Sequence, residues 1–198
     1  YKIPIYSKSL LFEEVNLFFK WYVPHIFNKK KRFKINSQLR KVISSLLKKI
    51  KLPNNTFVHR DFHVSNLMLK KRVISVIDSQ DAVYGNIAYD LASLIDDVRL
   101  RTSKNVKEMI YKEYLYLNKK KINIKKFKND FEILSVLRNL KIIGIFTRLA
   151  NRDNKKQYLK LIPHAWELIE LRIKNNYIFK DLQKNLETNF PKKIRIKK

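Results

Sequence analysis

Before residue 50, apolar positions recur at helical spacing in two stretches. From Ser9 to Tyr22 they are Leu10, Leu11, Val15, Leu17, Phe18 and Trp21, and Pro24 is expected to close the run. From Gln38 to Ile50, Leu39, Val42, Ile43, Leu46, Leu47 and Ile50 share one face, and Pro53-Asn54-Asn55 reads as a turn. The period then shortens. Thr56-Phe57-Val58, Asn66 to Leu69 and Val73 to Ile77 are β-type runs, and Lys70-Lys71-Arg72 is polar enough to turn between the last two. After Gly85 the helical period returns over Tyr89 to Val98, Val106 to Leu117, Phe127 to Ala150, Gln157 to Ile173 and, more weakly, Ile178 to Leu186. The third of these is apolar around most of its circumference, which predicts a central, buried helix. Asn118 to Ile124 is a lysine-rich connector. The pattern predicts an α+β fold, mainly α-helical, as one domain over residues 1–190 followed by a basic tail at 191–198, since no repeat or linker divides it.

Composition narrows the class. A chain of 198 residues with 45% apolar content can bury a real core. No apolar run reaches the roughly 18 residues of a membrane span, and Tyr1-Lys2-Ile3-Pro4 lacks a signal-peptide layout, so a cytoplasmic protein is expected. The absence of cysteine excludes disulfides, zinc-thiolate sites and thiol catalysis. A start without methionine suggests a fragment.

The net charge of +27 invites a nucleic-acid reading. However, the lysines are spread over Lys29 to Lys34, Lys119 to Lys128 and Lys192 to Lys198, accompanied by the many Ile and Asn residues that A/T-rich codons produce. No zinc-finger, RNP or basic-zipper pattern is present, so a nucleic-acid-binding module is only a remote alternative. The gap in the charge says more. Twenty-six residues between Arg72 and Arg99 contain no Lys or Arg but hold Asp78, Asp81, Asp90, Asp96 and Asp97. That predicts a buried or functional segment, in which Asp96 and Asp97 are expected to be solvated helix-end or surface acids.

The chemistry lies at the edge of this gap. In Val58-His59-Arg60-Asp61-Phe62-His63-Val64-Ser65-Asn66, an aspartate is followed five residues later by an asparagine and seventeen later by Asp78. Transfer of a γ-phosphoryl group to an alcohol needs a base or orienting acceptor beside the hydroxyl, and hard oxygen ligands that hold magnesium against the phosphates. Asp61 suits the first role, and Asn66 and Asp78 suit the second. His59 is expected to shape the loop, and His63 to hydrogen-bond the loop or the substrate. Asp90, at a helix start, reads as a cap or an internal tether. Only eleven residues separate Asp78 from Asp90, without an Ala-Pro-Glu motif, which favours a small acceptor over a docked peptide. Arg138, Asn139 and Arg148 are candidates for sugar or carboxylate contacts, with helix-surface pairing as the alternative.

His59 through Met68, together with Val76-Ile77-Asp78-Ser79-Gln80-Asp81-Ala82 and Tyr89-Asp90-Leu91-Ala92-Ser93-Leu94, resembles the aminoglycoside phosphotransferase family of kinase-like enzymes. The stretches Tyr6 to Tyr22 and Arg138 to Leu149, with Arg152-Asp153 and Tyr158-Leu159, are similar to its bacterial N-acetylmuramate/N-acetylglucosamine anomeric sugar kinases. The resemblance implies a protein-kinase-like C-terminal lobe in which a small β-hairpin carries the catalytic and metal-binding loops. It also implies Asp61 as catalytic base, Asn66 and Asp78 as magnesium ligands, and His59, Arg60 and Asp90 as organisers of the loop. ATP and Mg2+ are the implied cofactors, and a small sugar and a nucleotide the implied partners, in cell-wall recycling. Ser79 departs from the pattern, standing where these kinases carry an aromatic residue. With Gly85 and Gly144 as its only glycines, the chain cannot supply a Gly-rich phosphate loop. The expectation is therefore a C-terminal lobe whose N-terminal lobe is missing, inactive without it. A non-catalytic or truncated fragment, and a kinase for another small alcohol such as an aminoglycoside or choline, are the alternatives.

Overall fold

The computed structural model describes residues 2–196. Helix α1 (Lys8–Leu17) runs through a π-helical turn, Phe18–Tyr22, into α2 (Val23–Ile26). Helix α3 (Lys29–Lys48) follows, then β1 (Asn54–Val58), a 3-10 turn at Val64–Asn66, β2 (Leu67–Lys70), β3 (Val73–Val76) and β4 (Val83–Asn86). The remainder is helical: α4 (Tyr89–Ile95), α5 (Lys104–Asn118), α6 (Ile124–Arg152), α7 (Ile162–Ile173), α8 (Lys180–Asn189) and α9 (Lys192–Arg195). The fold is mostly helical α+β with two small antiparallel pairs, β1 with β4 and β2 with β3.

Several boundaries differ from the pattern for physical reasons. Pro24 does not close the first helix. It sits in the first turn of α2, where its missing N–H costs nothing. Helix α3 begins nine residues before the apolar face does, because Asn28 caps it by accepting from the Lys31 N–H at 3.1 Å. Strand β4 was not visible as a period. It is held by β1 on one side, and on the other by the N-terminal segment, through Tyr6 N–H to Tyr84 O and Tyr84 N–H to Pro4 O, each 2.8 Å.

The chain divides into two compact units: residues up to Ser7 with Ile50–Ser135, and Lys8–Lys49 with Val136 onward. The first unit holds all four strands, α4, α5 and the first part of α6. Asp130 is buried there and gathers four donors, the Lys51 and Leu52 backbone N–H groups and the Asn86 and Asn129 amides, fixing the chain as it enters β1. In the β2–β3 hairpin, Lys71 and Arg72 both have positive φ, the backbone of a two-residue type I′ turn.

The second unit is built on aromatic packing. Phe18, Tyr22, Trp166 and Phe190 are all buried, and every pair of their ring centroids lies between 5.2 and 6.0 Å. The Trp166 indole N–H donates to the Tyr22 hydroxyl at 3.1 Å, and burial pushes the Tyr22 phenol up to about 12. A Cβ at Gly144 would overlap the backbone of Leu17 and Phe18, so only glycine lets α6 pass the start of the π turn. Within the stretch read as a basic tail, Arg195 is buried, donating to Phe190 O at 2.5 Å and to the Glu170 carboxylate at 2.6 Å. Lys197 and Lys198 lie outside the described residues.

Candidate active site

The segment His59–Asn66 leaves β1 and reaches the hairpin with almost no regular structure, so its backbone polar groups must find other partners. The Asp90 carboxylate, in the first turn of α4, accepts from the His59 N–H at 2.7 Å and the Arg60 N–H at 3.1 Å. Arg60 has a φ of 70°, a left-handed conformation costing a non-glycine residue about 1–2 kcal/mol. Hydrogen bonds to a charged acceptor contribute about 1.5–3 kcal/mol each, enough to hold that conformation. The Arg60 guanidinium lies over the Tyr6 ring at 5.3 Å and donates to Asp81 O at 3.2 Å. Of the two roles open to Asp90, the tether is the one its bonds describe.

The rest of the loop is tied to itself and to the hairpin. The His63 N–H donates to Asp61 O at 3.0 Å, the Asn66 N–H to His63 O at 2.9 Å, and the Asn66 amide to Asp61 O at 2.9 Å. The Ile77 N–H donates to Asn66 O at 3.1 Å, and His59 Nε2 meets Ile77 O at 2.9 Å. A carbonyl can only accept, so Nε2 carries the proton, and the buried Nδ1 has no partner. Asp61, Asn66 and the residue before Asp78 thus form one hydrogen-bonded set. Asp78 itself is exposed with a φ of 69°, and one of its oxygens accepts from the Gln80 amide at 2.8 Å.

In this network the half-buried Asp61 carboxylate has no partner among the described residues. Asn66 Oδ1 is likewise free, because the amide hydrogen bond engages its nitrogen. The donor set suits magnesium, which takes one or two carboxylate or amide oxygens and completes its shell with phosphate and water. No cluster of three or more His, Cys, Asp or Glu residues that could cage a metal occurs among the described residues.

The charge gap divides in two. Residues 73–81 are exposed and 82–98 are mostly buried. The expectation that Asp96 and Asp97 are solvated is overturned, as they are 0% and 1% exposed. Asp96 accepts from Lys107 Nζ at 3.1 Å and Ser135 Oγ at 2.5 Å, and Lys107 also donates to Ile95 O. Asp97 accepts from the Val64 N–H at 3.3 Å and the Arg99 N–H at 3.0 Å, with the Arg99 guanidinium 3.6 Å away. Each of these two buried acids is met by at least one donor distant in sequence, Ser135 for Asp96 and Val64 for Asp97. The signal that could have found them was the run Leu94-Ile95-Asp96-Asp97-Val98, two acids embedded in an apolar stretch and followed directly by Arg99.

His63, two residues after Asp61, is buried. Arg138, Asn139 and Arg148 belong to the second unit. Arg138 and Asn139 are 4% and 0% exposed, so pairing on a helix surface does not describe them, whereas Arg148 is half-buried. An apolar groove of about 700 Å³ lies between β1, α4 and α5, lined by Phe57, Phe62, Leu91, Met109 and Tyr114. Asp90 lines it but Asp61, Asn66 and Asp78 do not, so it is distinct from the free oxygens. Burial, and then the Asp90 charge, raise the Tyr114 phenol above its ordinary value.

Residues 9–121, which include the whole loop and hairpin, match the phosphotransferase enzyme family. The chain is 33% identical over 166 residues to an N-acetylmuramate/N-acetylglucosamine kinase of Neisseria meningitidis serogroup B, covering 81% of this chain and 50% of that protein. Kinases of the same name from Pseudomonas aeruginosa and Pseudomonas putida are 27% and 32% identical, with 86% and 84% of this chain matched to 52% and 51% of theirs. The chain spans about half the length of these curated relatives.

Proposed function

This chain belongs to the phosphotransferase enzyme family, and from that premise we propose that it is the kinase-like C-terminal lobe of an ATP-dependent sugar kinase. Its acceptor is the anomeric hydroxyl of N-acetylmuramate or N-acetylglucosamine, in cell-wall sugar recycling. The observation that carries the reading is the Asp61 carboxylate, left without a partner in a loop whose neighbouring backbone groups are bonded. An oxygen held ready in this way can take the acceptor's proton as its oxygen bonds the γ-phosphorus and the diphosphate leaves.

Asn66 and Asp78 would hold Mg2+, which when bound neutralises charge developing on the transferred group. Asp90 accepts from the backbone leading into Asp61, at His59 and at left-handed Arg60, so those N–H groups do not compete for the Asp61 carboxylate. The segment between Asp78 and the start of α4 holds only turns and β4, in keeping with a small acceptor. The names of the relatives support an amino sugar over an aminoglycoside or choline.

The full-length protein with ATP, Mg2+ and each candidate acceptor is expected to release ADP and to give a 31P signal of an anomeric sugar phosphate. Phosphorylation of an aminoglycoside or choline in place of the sugars would replace the acceptor. No transfer to any of them would favour the non-catalytic reading.

A further inference from the structure

We propose that α4 is a splint for the active loop, and that Asp97 is a positioning residue for the metal-binding asparagine. The helix has seven residues, about 10 Å at 1.5 Å per residue. Acids at its two ends reach opposite ends of the loop. Asp90, in its first turn, takes the His59 and Arg60 N–H groups, and Asp97, two residues past its last, takes the Val64 N–H. Val64 opens the 3-10 turn Val64–Asn66, and the first N–H of such a turn has no acceptor within it. An acid 1% exposed supplies the missing acceptor. Its other oxygen is engaged by the Arg99 N–H and faces the Arg99 guanidinium, which fixes the carboxylate's orientation. Asp96, between helix and Asp97, is locked to Lys107 and Ser135, so the helix end that presents Asp97 cannot fray freely.

Each end of the splint serves a different part. Asp90 sets the approach to Asp61, whereas Asp97 sets the turn that carries Asn66 and through it the Ile77–Asp78 edge of the hairpin. The consequence for metal use rests on the proposed function, but the clamp itself does not.

The test uses the 15N-labelled full-length protein without substrate. In Asp97→Ala, the Val64 amide is expected to exchange with solvent at least about tenfold faster while His59 and Arg60 stay protected, and Asp90→Ala is expected to give the reverse. Asp97→Asn keeps one acceptor oxygen, so it should fall between and covers the case in which the alanine variant does not fold. Unchanged Val64 exchange in both Asp97 variants, or equal acceleration at all three amides, would overturn the splint. In turnover assays, Asp97→Ala should raise the Mg2+ concentration for half-maximal rate about tenfold, the lower range for removing a metal ligand's supporting partner, without changing KM for the acceptor. An unaltered Mg2+ requirement would overturn the positioning role. A wild-type protein with no Mg2+-dependent transfer would instead overturn the proposed function and leave the exchange result standing.

Discussion

The loop at residues 59–66 and the aromatic cluster of Phe18, Tyr22, Trp166 and Phe190 are both ordered, but by opposite means. The loop has few apolar anchors, and its conformation is set by carboxylates at the two ends of α4 accepting from its backbone N–H groups. The cluster is set by burial and by four ring systems in mutual contact, with one hydrogen bond at its centre. The comparison teaches that stability and chemistry draw on different residues. Carboxyl-to-amide changes in the loop should cost function and little stability, and large-to-small changes in the cluster should do the opposite.

That contrast can be broken by measurement. The largest stability effect is expected for Trp166→Ala, which removes a fully buried ring and the donor to Tyr22, at about 3–5 kcal/mol in denaturant unfolding. A loss below about 1 kcal/mol would show that the cluster is not what holds its unit together. Gly144→Ala should follow, at about 1–3 kcal/mol or somewhat more, because the new methyl group meets backbone that cannot swing aside. A neutral Gly144→Ala would mean that α6 and the π turn separate at little cost.

Most of the helices were legible in the sequence because their apolar positions repeat. The burial of α6 is seen at Ile133, Leu137, Leu140 and Ile143, all 2% exposed or less. Strand β4 was not legible, since a four-residue run containing Tyr84-Gly85 has no period and exists only through pairing with β1 and Pro4–Tyr6. The site divides in the same way. Asp61, Asn66 and Asp78 were legible as candidates, because residue type and spacing are enough to nominate them. Asp97 was not, because its burial depends on the Val64 N–H, 33 residues away, as well as on nearby Arg99, and Asp130 was missed because its backbone donors at Lys51 and Leu52 are also distant in sequence. The charge gap between Arg72 and Arg99 contains the buried stretch 82–98 but did not distinguish it from the exposed hairpin half.

The central claim is that a loop held by backbone bonds presents a free carboxylate for phosphoryl transfer. Asp61→Asn keeps the shape of that side chain and removes its capacity to take a proton. Turnover and unfolding of this variant, measured side by side in the full-length protein, test the claim most directly. Turnover should fall at least about 100-fold, the lower range for loss of general-base assistance, while stability changes by less than about 0.5 kcal/mol. Wild-type turnover in Asp61→Asn, or a loss of activity matched by unfolding, would contradict it.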